Sequence, residues 1–179
     1  MSDQGLSLVE LIVVMALGVA LTATLTLSVG LIVSADARTC ADGIMGAIAD
    51  CKVAAMSRGQ GNVRLVIYRG RDGNVYSELQ TRKEDAEPWT AGNEGARKIG
   101  GRRCRVGSSK GGDELPVKTL DAVPTLEDGM WEIYFDRSSG SFRGETTVSD
   151  IYVQGGSKNY RIHLEELTGK TTKELIGSP

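Results

Sequence analysis

The chain has 179 residues, 40% of them hydrophobic and 25% charged, with 5% aromatic side chains and a formal charge of -2. That composition excludes a disordered tail and leaves room for one ordinary domain plus an anchor. A charge so near zero gives no global electrostatic case for nucleic acid or an anionic membrane surface, so either would need a local basic patch.

The apolar residues are unevenly spread. In the opening stretch GLSLVELIVV, Glu10 is the only charge between Leu6 and Ala35. As a helix, the 25 uncharged residues from 11 to 35 would span about 37 Å against the roughly 30 Å hydrocarbon core of a bilayer, which predicts a membrane-crossing segment. Thr22, Thr24, Thr26 and Ser28 do not forbid this, since their hydroxyls can bond back to the helix backbone. A secretory signal cleaved around Ala35-Asp36-Ala37 is the competing reading. Against it, MSDQ has no basic residue, the apolar run is long for a signal core, and Glu10 sits where a signal is apolar. Glu10 either reaches water from the helix end or has a specific charged partner, because a central acidic residue costs about 2.5 to 3.5 kcal/mol on insertion scales.

Gly5, the run Leu6-Ser7-Leu8-Val9-Glu10 and the uncharged helix behind them together resemble the class III signal of type IV pilins and type II secretion pseudopilins. The resemblance implies that a prepilin peptidase cuts after Gly5 and that Leu6 becomes the N-methylated terminus. Glu10 is then the assembly carboxylate. In a low-dielectric bundle of identical helices a lone carboxylate is costly, and one facing a terminal amine is favoured, so Glu10 would select one axial register. Also implied are a leader over 1–5, a transmembrane and filament-core helix over 6–35, and single-pass residence in the cytoplasmic membrane with the head outside the cytoplasm, before entry into a pilus or pseudopilus. The implied partners are the peptidase, the membrane, other pilins or pseudopilins and the inner-membrane assembly platform. Leu6 stands where phenylalanine is commonest, the leader has no basic residue, and the helix lacks the mid-helix proline of many major pilins. The last feature points to a straighter helix or a minor subunit.

Next along the chain, Cys40, Ile44, Ala47, Ile48, Cys51 and Ala55 recur at helical spacing, with Asp42, Asp50 and Lys52 elsewhere, which predicts an amphipathic continuation over 36–58. Ser57-Arg58-Gly59 supplies the stop. Beyond it, over 59–179, the cues are short strands. Val63 to Tyr68 and Asn74 to Leu79 flank the hairpin signal Arg71-Asp72-Gly73. Further strand candidates are Arg102 to Val106, Leu115 to Leu120, Met130 to Phe135, Ile151 to Gln154 and Tyr160 to Glu165. Thr81 to Gly101 and Gly107 to Asp113 are polar, glycine-rich and predict exposed loops. WEIYFDRSSGSFRG, YRIHLEELTGKT and CKVAAMSRGQGNVRLVIY are similar to segments of H-type minor pseudopilins and T-type minor pilins. The fold this implies is α+β and pilin-like: a long N-terminal helix, its first half membrane-spanning, packed on an antiparallel β-sheet head.

The chemistry-bearing residues are sparse. Cys40 and Cys51 are eleven residues apart, about 16 Å along a helix, beyond disulfide reach, and their place on the apolar stripe predicts buried structural thiols. A bridge from Cys104 to either of them stays open. No spacing supports a metal site or a cofactor. His163, the single histidine, falls on the polar face of a strand with no nucleophile pattern nearby, and so predicts a surface residue. The pairs Asp113-Glu114, Glu127-Asp128 and Glu165-Glu166 are adjacent, and adjacent strand residues face opposite ways. Asp72-Gly73-Asn74 and Glu127-Asp128-Gly129 lack a full calcium loop. The basic cluster Arg97, Lys98, Arg102, Arg103, Arg105 and Lys110 is the one local feature that could contact nucleic acid phosphates, but acidic residues flank it and no aromatic interleaves to stack bases.

The expectation is therefore a structural minor pilin or pseudopilin subunit that assembles by helix packing. The alternative is a DNA- or surface-binding minor pilin acting through the basic loop over 97–110. A third reading makes the Gly5 to Glu10 motif accidental in a single-pass or secreted protein. An enzyme is not expected, since no catalytic set can be assembled.

Overall fold

A computed structural model of the chain describes residues 8–57, 62–84, 86–109 and 129–176, with side chains other than those of 23–34, 93 and 94. The helix α1 (Leu8–Met56) is followed by β1 (Asn62–Arg69), β2 (Val75–Arg82), β3 (Thr90–Gly100), β4 (Arg105–Ser109), β5 (Met130–Tyr134), β6 (Asp150–Gly155), β7 (Lys158–Glu165) and β8 (Lys170–Leu175). The strands make two four-stranded sheets, in the orders β3-β2-β1-β5 and β4-β6-β7-β8. Every pairing is antiparallel.

The second half of α1 lies against both sheets, touching β1, β2 and β3 of the first and β6 and β7 of the second. The residues that make this contact are Ala37, Cys40, Ala41, Ile44, Ala47, Ile48, Cys51 and Ala55, all buried. Most are small, so the helix axis can approach the sheets closely. A Cβ placed on Gly43 would come within 3.0 Å of the Ile99 Cβ. Into the same core the first sheet sends Leu65, Ile67, Val75 and Ile133, and the second sends Val106, Ile151, Val153, Ile162 and Leu164. In β7 the alternation that puts Tyr160, Ile162 and Leu164 inward leaves Arg161, His163 and Glu165 facing out.

The β1–β2 hairpin closes where Arg71-Asp72-Gly73 predicts it. Gly73 adopts φ 78°, a backbone region open to glycine, and its N–H donates to the Gly70 carbonyl at 2.8 Å. The Asp72 carboxylate accepts from the Asn74 N–H at 3.1 Å and from the Tyr76 hydroxyl at 2.8 Å. These bonds, the Tyr76 hydroxyl first, hold its carboxyl down at about 2. Asp136 organises the turn after β5 in the same manner, accepting from the N–H groups of Ser138 and Ser139.

The structure corrects the expected fold in two respects. Among the described residues no helix is long and apolar enough to cross a membrane. The membrane-spanning first half, and with it single-pass residence in the cytoplasmic membrane with the head outside the cytoplasm, is therefore overturned. From Ala37 onward α1 is committed to protein instead, its small residues Ala37, Cys40, Ala41, Ala47 and Cys51 buried against the two sheets. The opposite face of this half carries Asp42 and Asp50, both exposed. The second correction concerns the head, which is two antiparallel sheets rather than one, with α1 filling the space between them and their loops.

At finer scale, residues 90–100, expected in a loop, form β3 at the edge of the first sheet. The expected strand over 102–106 begins only at Arg105, and β4 takes in Gly107 to Ser109 from the second expected loop. β8 was not anticipated. The expected strand over 115–120 lies outside the described residues.

Candidate functional site

The head buries its apolar residues; the start of α1 does not. Leu8 is 74% exposed and Val19 70%, and Leu11, Ile12, Val13, Val14, Met15, Leu17 and Leu21 are also open to solvent. These residues surround the helix rather than forming a stripe, which is the pattern of a helix meant to be enclosed on all sides. Large apolar patches of this extent on a protein surface mark interaction sites. Glu10 stands exposed in the first turn, the only carboxylate in that turn. Gly5 and Leu6, the expected processing residues, lie outside the described residues.

Of the six basic residues expected to act as one loop, the five among the described residues are divided between the strand β3, the turn after it and β4. Arg97 and Lys98 are adjacent on β3 and so project to opposite sides of the sheet. Arg97 reaches α1, with Nη1 3.6 Å from the Asp50 carboxylate. Arg102 donates from Nε to the Asp72 carbonyl at 2.5 Å, bracing the hairpin turn. Arg103 and Arg105 are exposed beside it, and Lys110 lies outside the described residues.

Three constellations were not legible from spacing. On the second sheet, the Asp150 carboxylate, nearly buried, accepts from Arg161 Nε at 2.8 Å and lies 2.9 Å from His163 Nδ1. His163, 46% exposed at its side chain, is thus a paired residue of the outer face. The pairing comes from the antiparallel register of Asp150 with His163. On the outer face of the first sheet, Arg64 pairs with Glu132 at 2.5 Å, and the guanidinium groups of Arg64 and Arg82 each lie 4.4 Å from the centre of the Trp89 ring. A cleft of about 860 Å³ runs between α1 and this sheet, lined by Asp50, Val53, Leu79, Thr81 and Arg97 among others.

The cysteines are all reduced and buried. Burial alone pushes the Cys51 thiol up to about 12. Cys40, in contrast, meets Cys104 from the turn between β3 and β4, and the two thiols share a hydrogen bond. That bond, with burial next, drives the Cys40 thiol well above its ordinary range, and it lowers Cys104. Among the described residues no cluster of three or more His, Cys, Asp or Glu side chains is placed to hold a metal ion.

No family model, curated protein or solved structure matches this chain.

Proposed function

We propose that this chain is a structural, non-enzymatic subunit of pilin or pseudopilin type, which assembles by packing the apolar arm of α1 against the same arm of neighbouring subunits. The observation that carries this reading is the exposed sleeve from Leu8 to Leu21, at the start of a helix whose second half has one face packed on the sheets. Each large side chain in it gains roughly 1.5–3 kcal/mol when removed from water. The occupant is a second copy because the sleeve is apolar on every side and holds one charge. An identical arm offers the same long apolar surface, and a subunit trimmed at Gly5 also offers a terminal amine for Glu10.

In this mechanism a prepilin peptidase removes residues 1–5 and the amine on Leu6 is methylated. Enclosing Glu10 among apolar helices would be unfavourable unless it faces that amine, so the pair rejects registers in which the charge is left alone. The head remains at the filament surface, its two sheets held on α1 by the small-residue stripe.

The test is the intact mass and N-terminal peptide of the protein recovered from its native host. A start at Leu6 carrying one added methyl supports the reading. A start at Met1 or at Arg38 sinks it, the first because Glu10 would have no processed amine to meet, the second because the arm itself would be gone.

A further inference from the structure

Cys51 has no sulfur neighbour in the chemistry just described, whereas Cys40 and Cys104 do. Both are fully buried, and they approach from elements far apart in the chain. Cys40 presses its Sγ on the backbone at Gly100, where an added Cβ would lie 2.5 Å from that sulfur. The chain then turns back, with the Cys104 N–H donating to the Gly101 carbonyl at 3.2 Å, and this turn returns Cys104 to the thiol of Cys40. Arg69 pins the turn from the other side, donating to the carbonyls of Gly73 at 2.6 Å and Cys104 at 2.8 Å. Glycine at position 100 is what leaves room for the sulfur. The arrangement is a pre-set pair held by a turn and a half-buried arginine.

We propose that Cys40 and Cys104 form a disulfide site that covalently ties α1 to the β3–β4 turn, and hence to an edge of each sheet. The oxidant is a disulfide of the glutathione class. The Cys104 thiolate attacks one sulfur of that disulfide, making a mixed disulfide and releasing one thiolate, which takes up the proton lost by Cys104. The Cys40 thiol then loses its proton and attacks the Cys104 sulfur, expelling the second thiolate, which takes that proton. Two protein thiols are oxidised by two electrons, and one external disulfide is reduced to two thiols. Cys104 is the first attacker because the hydrogen bond from Cys40 and the nearby Arg69 guanidinium both favour its thiolate. Since neither sulfur is exposed in the folded head, exchange takes place as the turn closes during folding or when it opens locally, and the finished bond is then shielded. Nothing in this depends on the assembly reading.

The experiment is to refold the full chain in a mixed reduced and oxidised glutathione buffer, alkylate remaining thiols, cleave before aspartate and identify linked peptides by mass. Asp42 and Asp50 lie between the two helix cysteines, so this cleavage separates Cys40 from Cys51. The expected product is a Cys40–Cys104 linked pair, lighter by two hydrogens, in the parent chain and in Cys51→Ser. Its thermal midpoint should rise on oxidation, fall back on adding dithiothreitol, and not respond in Cys104→Ser. Should that variant fail to fold, the peptide linkage in Cys51→Ser decides by itself. Recovery of folded protein with Cys40 and Cys104 both alkylated, or of links that involve Cys51, would overturn the proposal.

Discussion

The two halves of α1 are both apolar and belong to one continuous helix, yet they do opposite things. From Leu8 to Leu21 the large side chains point into solvent on all sides, while from Ala37 to Ala55 the buried residues are mostly alanine and cysteine, with Ile44 and Ile48 as the only large ones. Hydrophobicity alone therefore does not decide which half packs on the head. What decides it is size and spacing: small residues at i, i+3, i+4 and i+7 let two sheets close on one face, and the polar residues Asp42, Asp50 and Lys52 occupy the other. The bulky arm offers no such face and awaits a partner that can surround it.

The comparison breaks most directly at Ile44, fully buried between the sheets. Ile44→Ala should cost the head about 2–5 kcal/mol, by lost transfer energy plus the cavity left behind. Val14→Ala, on the exposed arm, should leave thermal unfolding of the head unchanged while weakening association, as read by sedimentation. If Val14→Ala lowered the unfolding midpoint as Ile44→Ala does, the arm would be part of the head's core and the division of labour would be wrong.

A slightly smaller effect is expected where the helix comes closest to the β3–β4 turn. Gly100→Ala sets a methyl against Cys40 Sγ and the Val75 Cβ, the latter at 3.3 Å, and overpacking of this kind costs about 1–3 kcal/mol. The matching substitution in the arm, Gly18→Ala, meets nothing within 4 Å and should be neutral or mildly stabilising through helix propensity. Paired urea titrations of the two variants give the contrast.

The third test is pH. Burial raises the Cys51 thiol from its ordinary 9.0 to about 12, so the folded chain holds a proton that the unfolded chain releases. Below about pH 9 both states are protonated and stability is unaffected by this group. Between about 9 and 12 the unfolded state binds fewer protons, so stability falls as pH rises, and the loss is complete above the folded value. Cys51→Ala should remove that portion of the alkaline decline while leaving the acid limb as it was. A parent and variant whose stabilities run parallel across this window would contradict the shift.

How much of this could be read beforehand differs from element to element. The Cys40 to Ala55 stripe and the Arg71-Asp72-Gly73 hairpin were legible because each is local: one is a periodicity, the other a turn that needs a glycine. β3 was not. Its sequence, TAGNEGARKIG, holds a single β-branched residue beyond its first position and three glycines, yet it pairs with β2 through irregular register near Glu78 and Gln80. Gly95 supplies φ 63° and Gly92 permits an approach in which a Cβ would meet the Leu79 carbonyl at 2.9 Å. The strand exists because a neighbour supplies its hydrogen bonds, which is a tertiary reason invisible to propensity. The same applies to β8, whose polar alternation KTTKEL became a strand by pairing with β7. The meeting of Cys40 with Cys104 and of Asp150 with His163 depends likewise on strand order and register. The membrane-spanning expectation rested on composition alone, and among the described residues no helix is long and apolar enough to cross a membrane.

The smallest expected effect asks whether polar ties help to hold the packed half down. Lys52 donates from Nζ to the carbonyls of Thr168 at 3.0 Å and Gly169 at 3.1 Å, clamping α1 to the turn that leaves β7. These carbonyls are fixed by a glycine at φ 60°, so Lys52→Met leaves them without this donor and should cost about 1 kcal/mol. Asp42 instead pairs with Lys173 and, at 3.8 Å, with Arg38, but its side chain is 51% exposed. Exposed ion pairs lose most of their attraction to solvent and salt, so Asp42→Asn should cost no more than about 0.5 kcal/mol and nothing measurable at high ionic strength. A larger, salt-resistant loss at Asp42 would mean that charge, rather than the small-residue stripe, positions this half of the helix on the second sheet.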